Sequence, residues 1–179
     1  MSSKMAYSQP EPQPQSQPGP LVVDLDGLRA RAGEVLGHGP WRTVTQDDVD
    51  TFARLTGDEQ WIHVDPGRAA GSPFGTTIAH GFMTVALSTA GIYEVVAVEG
   101  VETILNYGAN RVRFPAPLPV GSRVRALVEV PAVEDIPGGV QATFKLTFER
   151  EDAEPGAKPV CVAEILFRYY ERAPGGGRA

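Results

Sequence analysis

The spacing of hydrophobic positions changes character once along the chain, near residue 100. Before that point apolar residues recur three and four apart, as on one face of a helix; after it they alternate, as on one face of a strand. Residues 21–33 predict a short helix with Val22, Leu25 and Leu28 on its apolar side. Residues 45–56 predict a stronger one: Thr45 can cap it, Asp48 follows three positions later, Val49, Phe52, Ala53 and Leu55 supply the stripe, and Gly57 ends it. Asp65 and Pro66 repeat the start signal for a helix over 65–70. Residues 80–96 are apolar nearly all round and lack proline, the mark of a helix buried on most sides. Beyond it, residues 103–114, 122–130, 140–150 and 160–170 alternate and are rich in β-branched and aromatic side chains. Turn residues separate them, first Pro115, Pro117 and Pro119 leading to Gly121, then residues 135–139, then Pro155 with Gly156. Residues 41–44 add a candidate edge strand.

Helices first, one greasy helix in the middle and then an antiparallel meander define an α+β class. A single buried helix needs a sheet that curls around it. The first 20 residues are dominated by Pro, Gln and Ser, too little apolar surface to offset the entropy of ordering, so residues 1–20 are expected to be a disordered leader. Residues 173–179 read as a flexible tail and residues 21–172 as the folded domain. A chain of 179 residues with 42% hydrophobic content suits one such domain.

Charge removes one class of partner. A net charge of −6 and a pI near 5.1 do not suit a nucleic-acid surface, which needs clustered Lys and Arg. Arg111 with Arg113, and Arg123 with Arg125, are spaced to share a strand face; they read as solvated faces or, at Arg111 and Arg113, as a patch for the phosphates of coenzyme A. The lone Cys161 excludes an internal disulfide and fits a reducing compartment. No stretch approaches the ~18 apolar residues of a membrane span, and no signal-peptide core precedes the domain. The expectation is a soluble, cytoplasmic protein without nucleic-acid or membrane partners.

The candidate chemistry lies between two of the predicted helices. Asp58 emerges just past the Gly57 stop, and His63 follows four residues later, before the Asp65 start. A carboxylate and an imidazole turned to one point can take a proton from water and deliver one to carbon, the work of adding water to an α,β-unsaturated thioester. Their ordinary pKa values, about 3.9 and 6.5, can be adjusted by burial. An enolate-like transition state also needs a donor for the thioester oxygen, and the backbone N–H of Gly81, at the start of the buried helix, can supply it. His80 reads as a structural helix-start residue, and His38, between Gly37 and Gly39, as a solvated turn residue. Three dispersed histidines give no metal site, and no cofactor motif is present.

The full string around the pair is more specific than the pair itself. Phe52, Leu55, Thr56-Gly57-Asp58, Gln60-Trp61-Ile62-His63 and Ala69 resemble, at this spacing, the signature of the MaoC-like (R)-specific enoyl-CoA hydratases. Ile78 to Met83 looks like that family's entry into the central helix, and residues 114–122 like its turn into the later strands. The likeness covers roughly residues 35 to 170, and the Gln60-Trp61 variant resembles the nodulation-protein-N-like branch. It implies a hot-dog fold, one antiparallel β-sheet wrapped around a long central helix. It also implies Asp58 and His63 as the catalytic pair, Gly81 as oxyanion donor, Thr89 in place of a supporting serine, and a supporting amide at Gln60. Trp61, Phe74 and Phe82 are candidates for an acyl pocket.

The activity implied is reversible hydration of trans-2-enoyl-CoA to (R)-3-hydroxyacyl-CoA, without cofactor. The resemblance further implies an acyl thioester substrate carried by coenzyme A or acyl carrier protein, and a homodimer is expected. A hot-dog acyl-CoA thioesterase and a non-catalytic acyl-binding accessory protein are the alternatives.

Overall fold

The protein's structure, a computed structural model, describes residues 19–171. Apart from Gly19 and Pro20, the expected leader and the tail over 173–179 lie outside the described residues. The elements, in chain order, are β1 (Leu21–Val23), α1 (Leu25–Ala30), β2 (Glu34–His38), β3 (Arg42–Thr43), α2 (Gln46–Thr56), α3 (Trp61–Val64) and α4 (Pro66–Ala70). Then follow α5 (Gly81–Ala86), α6 (Ser88–Val95), β4 (Val96–Val98), β5 (Val101–Arg113), β6 (Arg123–Ile136), β7 (Gly139–Arg150) and β8 (Cys161–Glu171).

The main sheet runs β2-β6-β7-β8-β5, with β3 also on β6 beside β2, and every pairing in it is antiparallel. Strands β6 to β8 show the clean alternation of a half-buried sheet. Their inward residues include Val128, Phe144, Leu146, Ile165 and Phe167, all buried, and they face the α5–α6 rod. Gly91 lets α6 approach the sheet closely: a Cβ there would stand 3.3 Å from the Ala126 Cβ. This sheet wrapped on a central helix is the hot-dog architecture.

Four details depart from expectation. Residues 21–23 form a strand, not the start of a helix, because they pair in parallel with β4; Val22 is consequently exposed, and α1 begins only after Asp24, whose carboxylate accepts from the Gly27 N–H at 2.8 Å. His38 belongs to strand β2, which Gly33 and Gly37, both at positive φ, hide from a reading by alternation. Strand β6 continues past Pro131, which falls inside a register shift between Glu129 and Ala132 and so removes no ladder bond the sheet needs. The central helix is irregular at Leu87, although Leu87 N–H to Met83 O (3.2 Å) and Gly91 N–H to Leu87 O (2.9 Å) carry the ladder across.

No helix among the described residues is long and apolar enough to cross a membrane. Cys161 is buried in the sheet, and burial pushes its thiol up to about 11.

Candidate active site

Helix α2 sets the position of Asp58. Thr45 and Asp48 form a reciprocal capping box at its start, and Gly57 ends it at φ 75°, a left-handed turn that a side chain would strain. Asp58 leaves this turn exposed at the surface. The stretch expected to be a plain loop then closes a single helical turn, α3, with His63 N–H on Gln60 O at 2.9 Å. That turn carries His63 inward to 7% exposure.

A strap of residues 77–79 lies against it. Ile78 N–H bonds Ile62 O (3.0 Å), Ala79 N–H bonds Leu118 O (2.8 Å), and Val120 N–H bonds Thr77 O (2.9 Å), so the strap is clamped between α3 and the segment before β6. The Ile78 carbonyl takes a hydrogen bond from His63 Nδ1 at 2.6 Å. Because a carbonyl only accepts, Nδ1 carries the proton and the neutral ring keeps its lone pair at Nε2. Burial holds the His63 pKa below the ordinary 6.5; the Ile78 carbonyl and Asp58 act in the opposite sense, and His80 adds to the lowering. His63 is therefore a neutral base at neutral pH.

Two supports were not foreseen. Gln46, the first residue of α2, donates through Nε2 to His63 O (2.8 Å) and to Asp50 Oδ1 (2.7 Å), while its Oε1 accepts from the buried Thr77 hydroxyl at 2.6 Å. In sequence Gln46 reads only as a helix-start residue. His80, 3% exposed, stacks on His63 with ring centroids 3.8 Å apart and donates through Nε2 to the Asp58 carbonyl at 2.8 Å. Nothing in the linear pattern brings residues 58 and 80 together.

A cavity of about 330 Å³ opens beside His63. Phe74, Ile78, Ala79, Gly81 and Thr84 line it from one side, and Phe114 to Leu118 with Val160 from the other. Its wall is largely apolar, as an acyl chain requires. Gly81 has no room for a side chain: a Cβ would come within 2.8 Å of the Phe114 ring.

Among the proposed pocket aromatics, Phe74 is on the cavity wall. Phe82 is not, since it points from α5 to solvent at 71% exposure, and Trp61 is not, since it packs under the Arg68 guanidinium 4.3 Å from the ring centre. Gln60 is exposed at the start of α3 and makes no capping bond. Thr89 accepts from Asn106 Nδ2 at 3.5 Å and does not line the cavity; the α5 hydroxyl that does is Thr84. Arg111 and Arg113 are exposed on β5, next to Phe114 at the cavity wall.

The histidines are less dispersed than the sequence implied. Among the described residues, the possible ligand atoms of Asp58, His63 and His80 lie within 4.8 Å of one another. Their arrangement fits a metal ion poorly, because histidine binds an ion in its ring plane and these two rings are stacked 24° from parallel. Water fits better, since one molecule about 2.8 Å from each of two polar groups spans such a gap.

The hot-dog sheet thus stands over a carboxylate, a neutral imidazole and an apolar cavity. The chain belongs to the MaoC-like family: residues 28–149 match the MaoC like domain. It is 57% identical over 143 residues to 3-hydroxyacyl-thioester dehydratase Z of Mycobacterium tuberculosis, covering 79% of this chain and 93% of that one. Over 105 residues it is 48% identical to nodulation protein N of Rhizobium leguminosarum bv. viciae, covering 58% of this chain and 65% of that one, which supports the branch suggested by Gln60 and Trp61. Among solved structures, the R-hydratase PhaJ1 from Pseudomonas aeruginosa shares the fold, with a TM-score of 0.62 at 24% identity over 79% of this chain and 83% of that one. The protein is a hydro-lyase of the hydratase and dehydratase type.

Proposed function

We propose that the protein is an (R)-specific enoyl-CoA hydratase, reversibly adding water to trans-2-enoyl-CoA to give (R)-3-hydroxyacyl-CoA. The observation that carries this reading is the fixed tautomer of His63, which leaves Nε2 bare at the edge of an apolar cavity while a ring nitrogen of His63 lies within 4.8 Å of the Asp58 carboxylate. Asp58 and His63 hold one water between them. As its oxygen bonds to Cβ, one of its protons passes to His63 Nε2; the imidazolium, steadied by the Asp58 charge, returns a proton to Cα. The pair thus ends each turnover with the protons it began with. The Gly81 N–H takes the charge that grows on the thioester oxygen. Phe74 and Phe114 flank the acyl chain, and Arg111 and Arg113 meet the coenzyme phosphates.

The enzyme works as a homodimer in the cytoplasm. Strand β5 is one edge of the sheet, opposite β2, and exposes Leu105 and Tyr107; a second copy can cover such an edge by pairing strand to strand. The buried thiol of Cys161 suits a reducing compartment.

Incubation with crotonyl-CoA tests the reading: loss of the conjugated double bond without release of free thiol is expected. Thiol release from saturated acyl-CoA would instead identify a thioesterase, and acyl-CoA binding with neither reaction an accessory binding protein.

A further inference from the structure

His80 occupies the N-cap position of α5, yet its side chain makes no capping bond to that helix. The side chain turns the other way, into the site. One face stacks on His63, and the tilted Phe52 ring stands with its centroid 5.1 Å from that of His80. One edge donates to the Asp58 carbonyl. That bond fixes Nε2 as the protonated nitrogen and leaves Nδ1 a bare acceptor, buried and without a partner. Burial of a polar nitrogen in this way costs stability, so packing convenience does not explain a histidine here.

We infer that His80 is a positioning residue for the Asp58–His63 pair, its edge anchoring the main chain at Asp58 and its face setting the tilt of the His63 ring. Each half of the pair needs such a hold. Asp58 follows directly on a left-handed turn at an exposed helix end, and its own N–H reaches only the Thr56 hydroxyl, at 3.4 Å. His63 is pinned at Nδ1 by Ile78 and at its carbonyl by Gln46, contacts that leave the ring free to tilt about the pinned edge. The titratable groups facing His63 are Asp58 from the end of α2 and His80 from the start of α5. His80, stacked face to face on His63, lowers the His63 pKa and so disfavours its imidazolium, while Asp58 acts in the opposite sense.

The inference rests on the catalytic reading of Asp58 and His63, and two variants separate its parts. His80→Gln keeps an N–H near the place of Nε2 but removes the ring; His80→Phe keeps the stacking surface and removes the donor. With crotonyl-CoA, His80→Phe is expected to lower kcat ~10- to 100-fold with KM within ~3-fold, as a misplaced reacting group does. His80→Gln should recover part of that loss, and its His63 should titrate at higher pH than in the wild type. Equal kcat in the two variants, or an unchanged His63 titration in His80→Gln, overturns the inference.

With three histidines in the chain, nitrogen NMR of the imidazoles reads the tautomers directly. Neutral wild-type protein should show His63 protonated at Nδ1 and His80 at Nε2. A His80 protonated at Nδ1 overturns the inference even if neither variant folds. Absence of wild-type hydration removes the catalytic reading alone, since the His63 titration and the tautomers still test His80.

Discussion

Strands β6 to β8 and the segment from Asp58 to Ser88 lie against each other and obey opposite rules. The inward face of the strands is apolar but for the Cys161 thiol and the Tyr169 phenol, whereas the buried His, Thr and Ser residues among the described ones, His63, Thr77, His80, Thr84 and Ser88, all fall in the other segment. The sheet is held by non-directional burial and a regular ladder, so its stability is spread over many side chains. The site is held by single hydrogen bonds to single atoms, such as His63 to Ile78 and His80 to Asp58. Loss of one sheet residue should weaken the whole molecule. Loss of one site residue should leave the molecule standing and stop the chemistry.

Asp58→Asn breaks this contrast most severely if it behaves otherwise. Asp58 is exposed, so the variant should unfold at nearly the wild-type denaturant midpoint while hydrating crotonyl-CoA ~10³-fold more slowly. The converse change is Phe144→Ala, at a fully buried position of β7. It should cost ~3–5 kcal/mol in urea unfolding, with KM for the surviving folded enzyme nearly unchanged.

Gln46→Leu sits between the two, because Gln46 belongs to α2 yet holds His63 and Thr77. It should lose ~1–3 kcal/mol by leaving buried polar groups unpaired, together with a measurable fall in kcat. A variant that keeps full activity would show that the strap and the α3 turn hold His63 without it.

The smallest effect is that of pH. Folding lowers the His63 pKa below 6.5, so between the folded value and 6.5 the unfolded chain binds a proton that the folded chain does not. Stability conferred by this residue is therefore complete above about 6.5 and falls as the pH drops through that window to the folded value. Urea midpoints measured across the window should decline with acid, and His63→Phe should flatten the slope. The acid limb of the hydration rate should likewise lie below 6.5, since His63 stays neutral there.

The same division governs what could be read from the residues in order. The alternation in β6, β7 and β8 is a local signal, and so are the cap of α2 by Thr45 and its stop at Gly57. Strand β2 was illegible because Gly33 and Gly37 break its period, and β1 because its partner β4 lies more than seventy residues on. In the site, Asp58 and His63 stand in one recognisable string, while His80 and Gln46 join them only through tertiary contact. The aromatics show the limit most plainly: Trp61 and Phe82 are neighbours of site residues in sequence but face Arg68 and solvent, whereas Phe114 reaches the cavity from across the fold.

The central claim is that Asp58 and His63 deliver water to one face of an enoyl thioester. Chiral analysis of the product from crotonyl-CoA, run side by side with wild type and Asp58→Asn, tests it most directly. The expected result is (R)-3-hydroxybutyryl-CoA from the wild type and almost none from the variant. An (S) product, or an (R) product formed equally fast by Asp58→Asn, would contradict it.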